Sequence, residues 1–349
     1  MSLRQQALEA MSGEDTTLRG GCLRAALTLA SPAYALGNAL RSAGFATGMK
    51  RTYPLGRPTV SIGNLTTGGT GKTPMVGYVV EQLIKQGHRP CILLRGYRGG
   101  DEAQEHQQRW GEAVKVEPNP DRVAAAKLAL EDDSSITCFV LDDGFQHRRA
   151  QRDLNLVLID ATNPWGYGYM LPRGLMREPK SALKRADEVI VTRSDQVEPE
   201  ALSKIDHEIV SITGKPPIAH AEHSWVGLVD AEDRVHPLSE LQDKAVMGVV
   251  GIGNPAAFEA TLAQHSGQVL HCEALADHHG YTRKQLLRFV DLAKTAGAQA
   301  LITTEKDWVK WASLLEDESV DMPIYRAALS MQFRDGGERI DALLNAIEQ

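Results

Sequence analysis

The 349-residue chain is long enough for about two domains. Hydrophobic residues make up 42% of the chain and charged residues 24%, as in a folded globular protein and unlike a disordered one. The formal net charge of −7 argues against a general nucleic-acid-binding protein, because such proteins normally present a basic surface.

The N-terminal region, residues 1–52, is predicted to be helical. No acidic residue occurs between Cys22 and Lys50, and basic side chains flank an uncharged Ala- and Leu-rich run from Ala25 to Leu40. This run is shorter than the roughly 20 residues that cross a bilayer and contains Pro32, so a transmembrane helix is not expected. A helix on an anionic membrane surface and a helix packed on the protein's own core both fit the composition.

From residue 59, short apolar runs alternate with segments of helical spacing. The predicted strands are Thr59–Ile62, Cys91–Leu94, Ile136–Leu141, Leu154–Ile159 and Glu188–Thr192. The predicted helices between and after them are Thr73–Gln86, Asp121–Glu131 and Glu198–Asp206. Nearly continuous Val, Ile and Leu in the strands indicates a parallel sheet covered on both faces, and the alternation predicts an α/β sandwich.

A second, smaller α/β lobe is predicted after a Gly- and Pro-containing link at Thr213–Pro217. An extended connector comes first, and the strand and helix pattern then resumes. The predicted elements are Ala219–Val229 (connector), Ala245–Val250, Pro255–His265, Gln268–Cys272, Thr282–Ala296, Ala300–Thr303 and Lys306–Leu315. The sequence thus predicts an N-terminal helical segment (1–52), a first lobe (53–215) and a second lobe with its connector (216–349).

The most specific motif is the glycine-rich sequence GNLTTGGTGKTP, which lies between the first predicted strand and the first predicted helix. Glycines let backbone N–H groups turn toward phosphate oxygens, and the helix N-terminus adds its dipole. In such a P-loop, Lys72 reaches the β- and γ-phosphates and the Thr73 hydroxyl binds Mg²⁺. The predicted nucleotide-binding residues are Gly68, Gly69, Thr70, Gly71, Lys72 and Thr73.

The loop departs from the strict P-loop pattern at one position. Thr66 stands where that pattern has glycine, and the neighbouring glycines at 68 and 69 offer the flexibility instead. A glycine-rich linker before an unrelated helix is the alternative interpretation.

A second motif, CFVLDD at residues 138–143, is an apolar strand that ends in acidic residues. In P-loop proteins such a strand places a carboxylate at Mg²⁺, directly or through water. Many unrelated strands end in aspartate, so its position in the same α/β unit as Lys72 matters. We predict that Asp142 and Asp143 lie at a magnesium site.

Together these motifs resemble those of the tetraacyldisaccharide 4′-kinase family of lipid A biosynthesis. The matching segments, in chain order, are VSIGNLTTGGTGKTP, LLRGYRG, GDE, LDDGFQHRRAQRDLNLVLID, LPRGLMREP, GIGNP, DHHGY and TTEKDWVK. They extend from residue 58 to residue 310, and their combination is far more specific than any one of them. Thr66 also looks like the family's own version of the loop.

The resemblance implies a two-lobed P-loop kinase that uses ATP and Mg²⁺. The γ-phosphate would pass to the 4′-hydroxyl of a tetraacyldisaccharide 1-phosphate, the lipid A precursor. The resemblance also favours membrane docking of residues 1–52, peripherally on the cytoplasmic face of the inner membrane. Neither a nucleic acid nor an obligate protein partner is expected.

Roles for individual residues follow from the resemblance as well. Asp101, in the GDE motif, matches the family's proposed catalytic base, and His278 matches the histidine that pairs with it. Lys72 completes the catalytic set, and Arg177 matches an active-site polar residue. The implied metal ligands are Thr73, Asp142, Asp143 and Glu178.

Other interpretations of the catalytic pair remain open. Asp101 also suits a turn aspartate, His278 also suits a surface loop, and His279 is a neighbouring candidate. The segment between the RGY and GDE motifs is shorter than is usual in the family, and Ala103 stands where the family usually has proline. Because residue 101 falls in the predicted first lobe and residue 278 in the second, the pair is expected to form on lobe closure.

Two other functions are compatible with a P-loop. A soluble kinase of small metabolites would work without detergent or lipid. A partner-regulated ATPase would be stimulated by a partner protein and not by an acylated disaccharide.

Overall fold

The computed structural model describes residues 3–96, 101–276, 279–315 and 320–348. The chain forms two compact units: unit 1 contains residues 1–95, 113–223 and 331–349, and unit 2 contains residues 96–112 and 224–330. This division differs from the predicted lobes in two places. Residues 96–112 belong to unit 2, and the C-terminal residues 331–349 belong to unit 1.

Helices and parallel strands make up both units, which confirms the predicted α/β fold class. The helices are α1 (Leu3–Ser12), α2 (Leu18–Ala46), α3 (Lys72–Lys85), α4 (Asp101–Trp110), α5 (Arg122–Asp132), α6 (Pro199–Thr213), α7 (Pro255–His265), α8 (Arg283–Ala296), α9 (Glu305–Leu315) and α10 (Gly337–Asn345). The strands are β1 (Thr59–Asn64), β2 (Pro90–Leu94), β3 (Lys115–Pro118), β4 (Cys138–Asp142), β5 (Leu154–Asp160), β6 (Glu188–Thr192), β7 (Ala219–Val229), β8 (Val235–His236), β9 (Ala245–Val250), β10 (Gln268–Ala274), β11 (Ala300–Thr304) and β12 (Ile324–Asp335).

The parallel sheet of unit 1 has the order β7-β6-β5-β1-β4-β2-β3. Its central strand β1 pairs with β4 on one side and β5 on the other, with Ile62 opposite both Asp142 and Leu156. Every residue of β1, β2, β4 and β5 is buried, which explains the long apolar runs of β2, β4 and β5. Since parallel strands end at one edge, the loops after β1, β4 and β5 are neighbours.

Helices cover both faces of this sheet. On one face, the buried alanines of α5 pack with Phe139 and Leu141 of β4. On the same face, further along the sheet, Ile205 and Ile209 of α6 pack with Val157 and Ile159 of β5. Helix α3, which follows the glycine-rich loop, buries an apolar face of its own. The loop is therefore held between a buried strand and a buried helix.

Helices α1 and α2 confirm the predicted N-terminal helical segment, and α2 extends beyond the uncharged run Ala25–Leu40 at both ends. Thr17 caps its N-terminus by accepting a hydrogen bond from the Gly20 N–H at 3.1 Å, and Pro32 lies within it. Its side chains Leu29, Leu36 and Leu40 are 82%, 61% and 64% exposed. Within the described part of the chain, no helix combines the length and the hydropathy needed to span a membrane.

Unit 2 contains parallel strands in the order β10-β9-β11-β12, and β8 pairs with β7 in antiparallel orientation. Trp308 and Trp311 of α9 join Leu286 and Phe289 of α8 in its hydrophobic core. Helices α4 and α9 are linked by an ion pair between Arg109 and Glu305, with 4.0 Å between nitrogen and oxygen.

Most predicted elements are confirmed within a few residues of their bounds, and the predicted connector Ala219–Val229 is strand β7. The main difference in length is α6, which continues to Thr213 and stops where Gly214 adopts a left-handed conformation (φ 82°). The sequence analysis did not predict α4, β3, β12 or α10.

Candidate active site

The glycine-rich loop joins β1 to α3 at the carboxyl edge of the unit 1 sheet. Gly71 is the N-cap of α3 and has a φ of 89°, in the left-handed region that favours glycine. A Cβ atom at Gly71 would lie only 2.3 Å from His223 Nε2, so a larger residue does not fit without movement. Gly68 also has a positive φ, of 118°. These two conformations explain the glycines at positions 68 and 71.

Side chains from neighbouring elements fix the path of the loop. Asn64 Nδ2 donates a 2.7 Å hydrogen bond to Thr70 Oγ1, and Thr192 Oγ1 donates to the Thr70 carbonyl at 2.9 Å. Arg193 Nη2 donates to the Gly69 carbonyl at 2.6 Å, and Nη1 of the same residue pairs with Asp160. The ends of β1, β5 and β6 thus hold the loop in one conformation.

Lys72, the predicted phosphate-binding lysine, folds back across the loop. Its Nζ lies 3.4 Å from Asn64 Oδ1, 3.5 Å from the Gly68 carbonyl and 3.7 Å from Asp143 Oδ1. The structure therefore brings Lys72 and Asp143 together, as the two motifs predicted.

Asp143 forms a two-pronged ion pair with Arg177. Nη1 and Nη2 of Arg177 donate to the two carboxylate oxygens, both at 2.7 Å, and Nη2 also pairs with Asn64 Oδ1. Burial would raise the pKa of Asp143, but the hydrogen bonds from Arg177 and the charge of Lys72 outweigh it and lower the pKa to about 2. Asp143 is consequently ionised at neutral pH.

Asp142 and Thr73 are the other predicted metal ligands on these elements. Asp142 is the buried last residue of β4, and Arg122 Nη2 lies 3.4 Å from its carbonyl oxygen. Thr73 is the second residue of α3. A hydroxyl and carboxylates are oxygen donors of the kind that Mg²⁺ prefers. Among the described residues, no cluster of three or more His, Cys, Asp or Glu side chains could hold a metal ion by itself.

Glu178, the last predicted metal ligand, is buried and paired with Arg185. Arg185 Nη1 donates to Glu178 Oε2 at 2.7 Å, and the Arg185 guanidinium lies 4.4 Å from the centre of the Phe145 ring. In this conformation an arginine neutralises Glu178, just as Arg177 neutralises Asp143. The assignment of Glu178 to a metal stays a prediction.

The predicted catalytic pair is only partly within the described structure. Asp101 is the first residue of α4, whose backbone is described, and His278 lies outside the described residues. Helix α4 belongs to unit 2, whereas the sequence analysis placed Asp101 in the first lobe. The Asp101–His278 pair stays a prediction.

The sequence analysis missed several residues of this site. Asn64 connects Thr70, Lys72 and Arg177, and its only sequence signal was its position between a strand and a glycine-rich loop. His223 lies against Gly71 without belonging to any motif, and burial, reinforced by the positive charge of Arg193, lowers its pKa to about 4. Its buried Nε2 has no hydrogen-bonding partner among the described residues.

Comparison with known proteins gives a consistent result over most of the chain. A family model described as tetraacyldisaccharide-1-P 4′-kinase (LpxK) matches residues 23–348. The chain is 36% identical over 334 residues to the tetraacyldisaccharide 4′-kinase of Geobacter metallireducens, covering 89% of this chain and 94% of the relative. It is 34% identical over 344 residues to that of Geobacter sulfurreducens, covering 92% and 93%.

A solved structure is similar over nearly the whole chain. It is the crystal structure of the "apo" form of LpxK from Aquifex aeolicus in complex with ATP. The TM-score is 0.73 and the sequence identity 26%, and the match covers 93% of this chain and 99% of that chain.

Proposed function

This chain belongs to the tetraacyldisaccharide-1-P 4′-kinase family, and from that membership we propose how its own residues carry out the reaction. It is an ATP-dependent kinase that transfers the γ-phosphate to the 4′-hydroxyl of a tetraacyldisaccharide 1-phosphate, a lipid A precursor. The family match supports this activity over a small-metabolite kinase and over a partner-regulated ATPase.

The anchored loop before α3 is the observation that best supports the assigned nucleotide site. Thr192 and Arg193 already hold its backbone carbonyls and Asn64 holds the Thr70 hydroxyl, so its N–H groups need little rearrangement to meet phosphate oxygens. Such preorganisation is favourable because the loop loses little conformational freedom on binding. In this proposal Gly68–Thr73 bind ATP, and Lys72 exchanges its contact with Asp143 for the β- and γ-phosphates.

Thr73, Asp142, Asp143 and Glu178 are the proposed ligands for Mg²⁺, directly or through water. The ion supplies charge neutralisation to the phosphates when it is bound. Asp143 and Glu178 each accept from an arginine in the structure, and an ionised carboxylate keeps further lone pairs for the ion or for a water bound to it. Asp143 needs no deprotonation to bind, because it is already ionised.

Lys72 and Arg177 are the cations closest to Asp143, and they would stabilise the negative charge that spreads over the transferred group. Phosphoryl transfer needs accurate in-line positioning more than covalent help from the protein. Lys72 and Arg177 meet that need, because contacts with Asn64 and Asp143 hold their side chains in position.

We assign deprotonation of the acceptor hydroxyl to the pair Asp101 and His278. An unperturbed aspartate is a weak base toward an alcohol, since its pKa lies far below that of the hydroxyl. A histidine paired with it would orient the carboxylate and share the proton as the hydroxyl attacks.

We further propose that α2 docks the enzyme peripherally on the cytoplasmic face of the inner membrane. The exposed Leu29, Leu36 and Leu40 supply an apolar face. Lys50 and Arg51 supply exposed positive charge just beyond its C-terminal end, as in helices that lie on anionic lipid surfaces.

A transfer assay tests the proposed function. Protein, γ-labelled ATP and tetraacyldisaccharide 1-phosphate in detergent micelles should give labelled lipid, and omission of the lipid should leave little ATP turnover. Lys72→Ala is the matched negative control. Equal ATP turnover with and without the lipid would support an ATPase instead.

A further inference from the structure

Helix α2 makes direct hydrogen bonds to the backbone of the active-site residue Arg177 and of Gln146, which follows β4. Asn38 Nδ2 donates to the Arg177 carbonyl at 2.8 Å, and the Tyr34 hydroxyl donates to the same oxygen at 3.2 Å. One helical turn further, Arg41 Nη2 donates to the Gln146 carbonyl at 2.6 Å. These contacts lie entirely within unit 1.

The side chains of those same two residues converge on Asn64. Arg177 pairs with Asn64 Oδ1 and holds both oxygens of Asp143. Gln146 Nε2 donates to the Asn64 backbone carbonyl at 2.8 Å. Asn64 in turn contacts Lys72 at 3.4 Å. One helix thus supports the backbone from which the side chains around the catalytic lysine extend.

The spacing of residues on α2 separates two faces. Ser31, Tyr34, Asn38 and Arg41 recur at intervals of three and four, so they share one side of the helix, and Ser31 also donates to a backbone carbonyl, that of Met170, at 3.1 Å. Leu29, Leu36 and Leu40 are the exposed residues of a different face. The polar face meets unit 1 and the apolar face meets solvent.

The Arg177 backbone is held on both sides. Its N–H donates to the Leu65 carbonyl at 2.7 Å, and its carbonyl accepts from Asn38 and Tyr34. The two donors of α2 therefore restrain the carbonyl side of the residue. Their loss would loosen the backbone from which the guanidinium extends to both carboxylate oxygens of Asp143.

We propose that Asn38 is a positioning residue for phosphoryl transfer. Its amide holds the Arg177 carbonyl, and thereby the Arg177 guanidinium, in place beside Asp143 and Asn64. Helix α2 is then part of the active-site framework in addition to its proposed contact with the membrane. The proposal rests on the proposed kinase function.

The test compares Asn38→Ala, the nearly isosteric Asn38→Asp and the control Thr28→Ala. Within the described part of the chain, the Thr28 hydroxyl donates to the Arg24 carbonyl of its own helix, so its removal deletes a hydrogen bond from α2 without touching Arg177. The kcat for lipid in detergent micelles, the KM for ATP and co-sedimentation with anionic vesicles are measured for each. Because the lipid is presented in micelles, the measured kcat does not depend on docking of the protein to a membrane.

We expect Asn38→Ala to lower kcat about threefold to tenfold, which is the effect of losing roughly one hydrogen bond. The KM for ATP and vesicle binding should stay near wild type, as should every parameter of Thr28→Ala. Asn38→Asp should be at least as slow as Asn38→Ala, because a carboxylate cannot donate to a carbonyl. Wild-type kcat in Asn38→Asp would mean that the side chain only fills space, and would overturn the proposal.

A double variant provides the second readout. Asn38→Ala combined with Arg177→Met should be scarcely slower than Arg177→Met alone, because the amide acts through that arginine. Losses that multiply would overturn the proposal.

If Asn38→Ala does not fold, Tyr34→Phe replaces it, with about a twofold loss of kcat expected from removal of the weaker donor. Unchanged kcat in folded Tyr34→Phe would then contradict the proposal. Absence of lipid phosphorylation by the wild type would instead contradict the proposed function.

Discussion

Replacement of Arg177 by methionine tests how strongly the ion pair with Asp143 is coupled to the stability of the fold. Both side chains are largely buried, with 18% and 23% of their surfaces exposed. The change removes two hydrogen bonds of 2.7 Å from a carboxylate and keeps much of the side-chain volume. Lys72 remains 3.7 Å from the carboxylate and compensates in part.

The magnitude follows from two independent estimates. Breaking a buried ion pair by removal of one partner costs about 3–5 kcal/mol, and the remaining lysine reduces that figure. The pKa of Asp143 is lowered from 3.8 to about 2. At about 1.4 kcal/mol for each pKa unit, this shift corresponds to roughly 2.5 kcal/mol. We expect Arg177→Met to lower the free energy of unfolding by about 2–3 kcal/mol at pH 7.5.

The pH dependence has a definite sign. A lowered pKa in the folded state gives stability that is present above the unfolded value of 3.8 and is lost as pH falls through about 2. Arg177→Met lacks the hydrogen bonds that lower the pKa of Asp143, so the variant has less of this stability to lose as pH falls. The deficit of the variant should therefore shrink between pH 7.5 and pH 3, where the wild type has lost part of this stability.

Urea unfolding of wild type and variant at the two pH values measures this effect. Lys85→Met is the control, because Lys85 pairs with Glu81 on the exposed surface of α3 and its loss should cost no more than about 0.5 kcal/mol. An Arg177→Met protein as stable as the control at pH 7.5, or a deficit of equal size at both pH values, would refute the reasoning.

Lys72→Ala should abolish transfer while far-UV circular dichroism stays native; near-wild-type activity would contradict the phosphate-loop assignment. Gly71→Ala should raise the KM for ATP at least tenfold and destabilise the fold by about 1–2 kcal/mol, since φ is 89° there, and an unchanged KM would contradict the loop geometry. Deletion of residues 1–48 should reduce flotation with anionic vesicles, and full retention of flotation would exclude membrane docking by α2. Alanine at Asp101 or His278 should lower kcat and spare ATP binding, with a double variant scarcely worse than the worse single one; multiplicative losses would argue against a pair.

The sequence predicted the strands around the phosphate loop well because they are buried on both faces. A strand such as β4 is apolar throughout until Asp142, and so its extent and its acidic end are both visible in the sequence. The loop itself is marked by glycines that the structure requires at positions 68 and 71. These features depend on local sequence alone.

Other features depend on contacts between distant residues and left little local signal. Strand β12 contains mixed polar and apolar residues, and its last residues, from Met331 to Asp335, belong to unit 1. Similarly, Asn64 is important because Arg177 lies beside it, more than a hundred positions later in the sequence. The hydrogen bonds from α2 end on the backbone carbonyl of Arg177. Every residue has such a carbonyl, so no sequence motif marks the contact.

Locating the new phosphate on the product tests the central claim most directly. The wild-type protein is incubated with ATP and tetraacyldisaccharide 1-phosphate, and phosphorus–proton correlation NMR of the purified lipid identifies the sugar position that carries the added group. We predict a single new phosphomonoester at the 4′ position that is absent with Lys72→Ala. Phosphate at another hydroxyl, or release of inorganic phosphate with an unchanged lipid, would contradict the account.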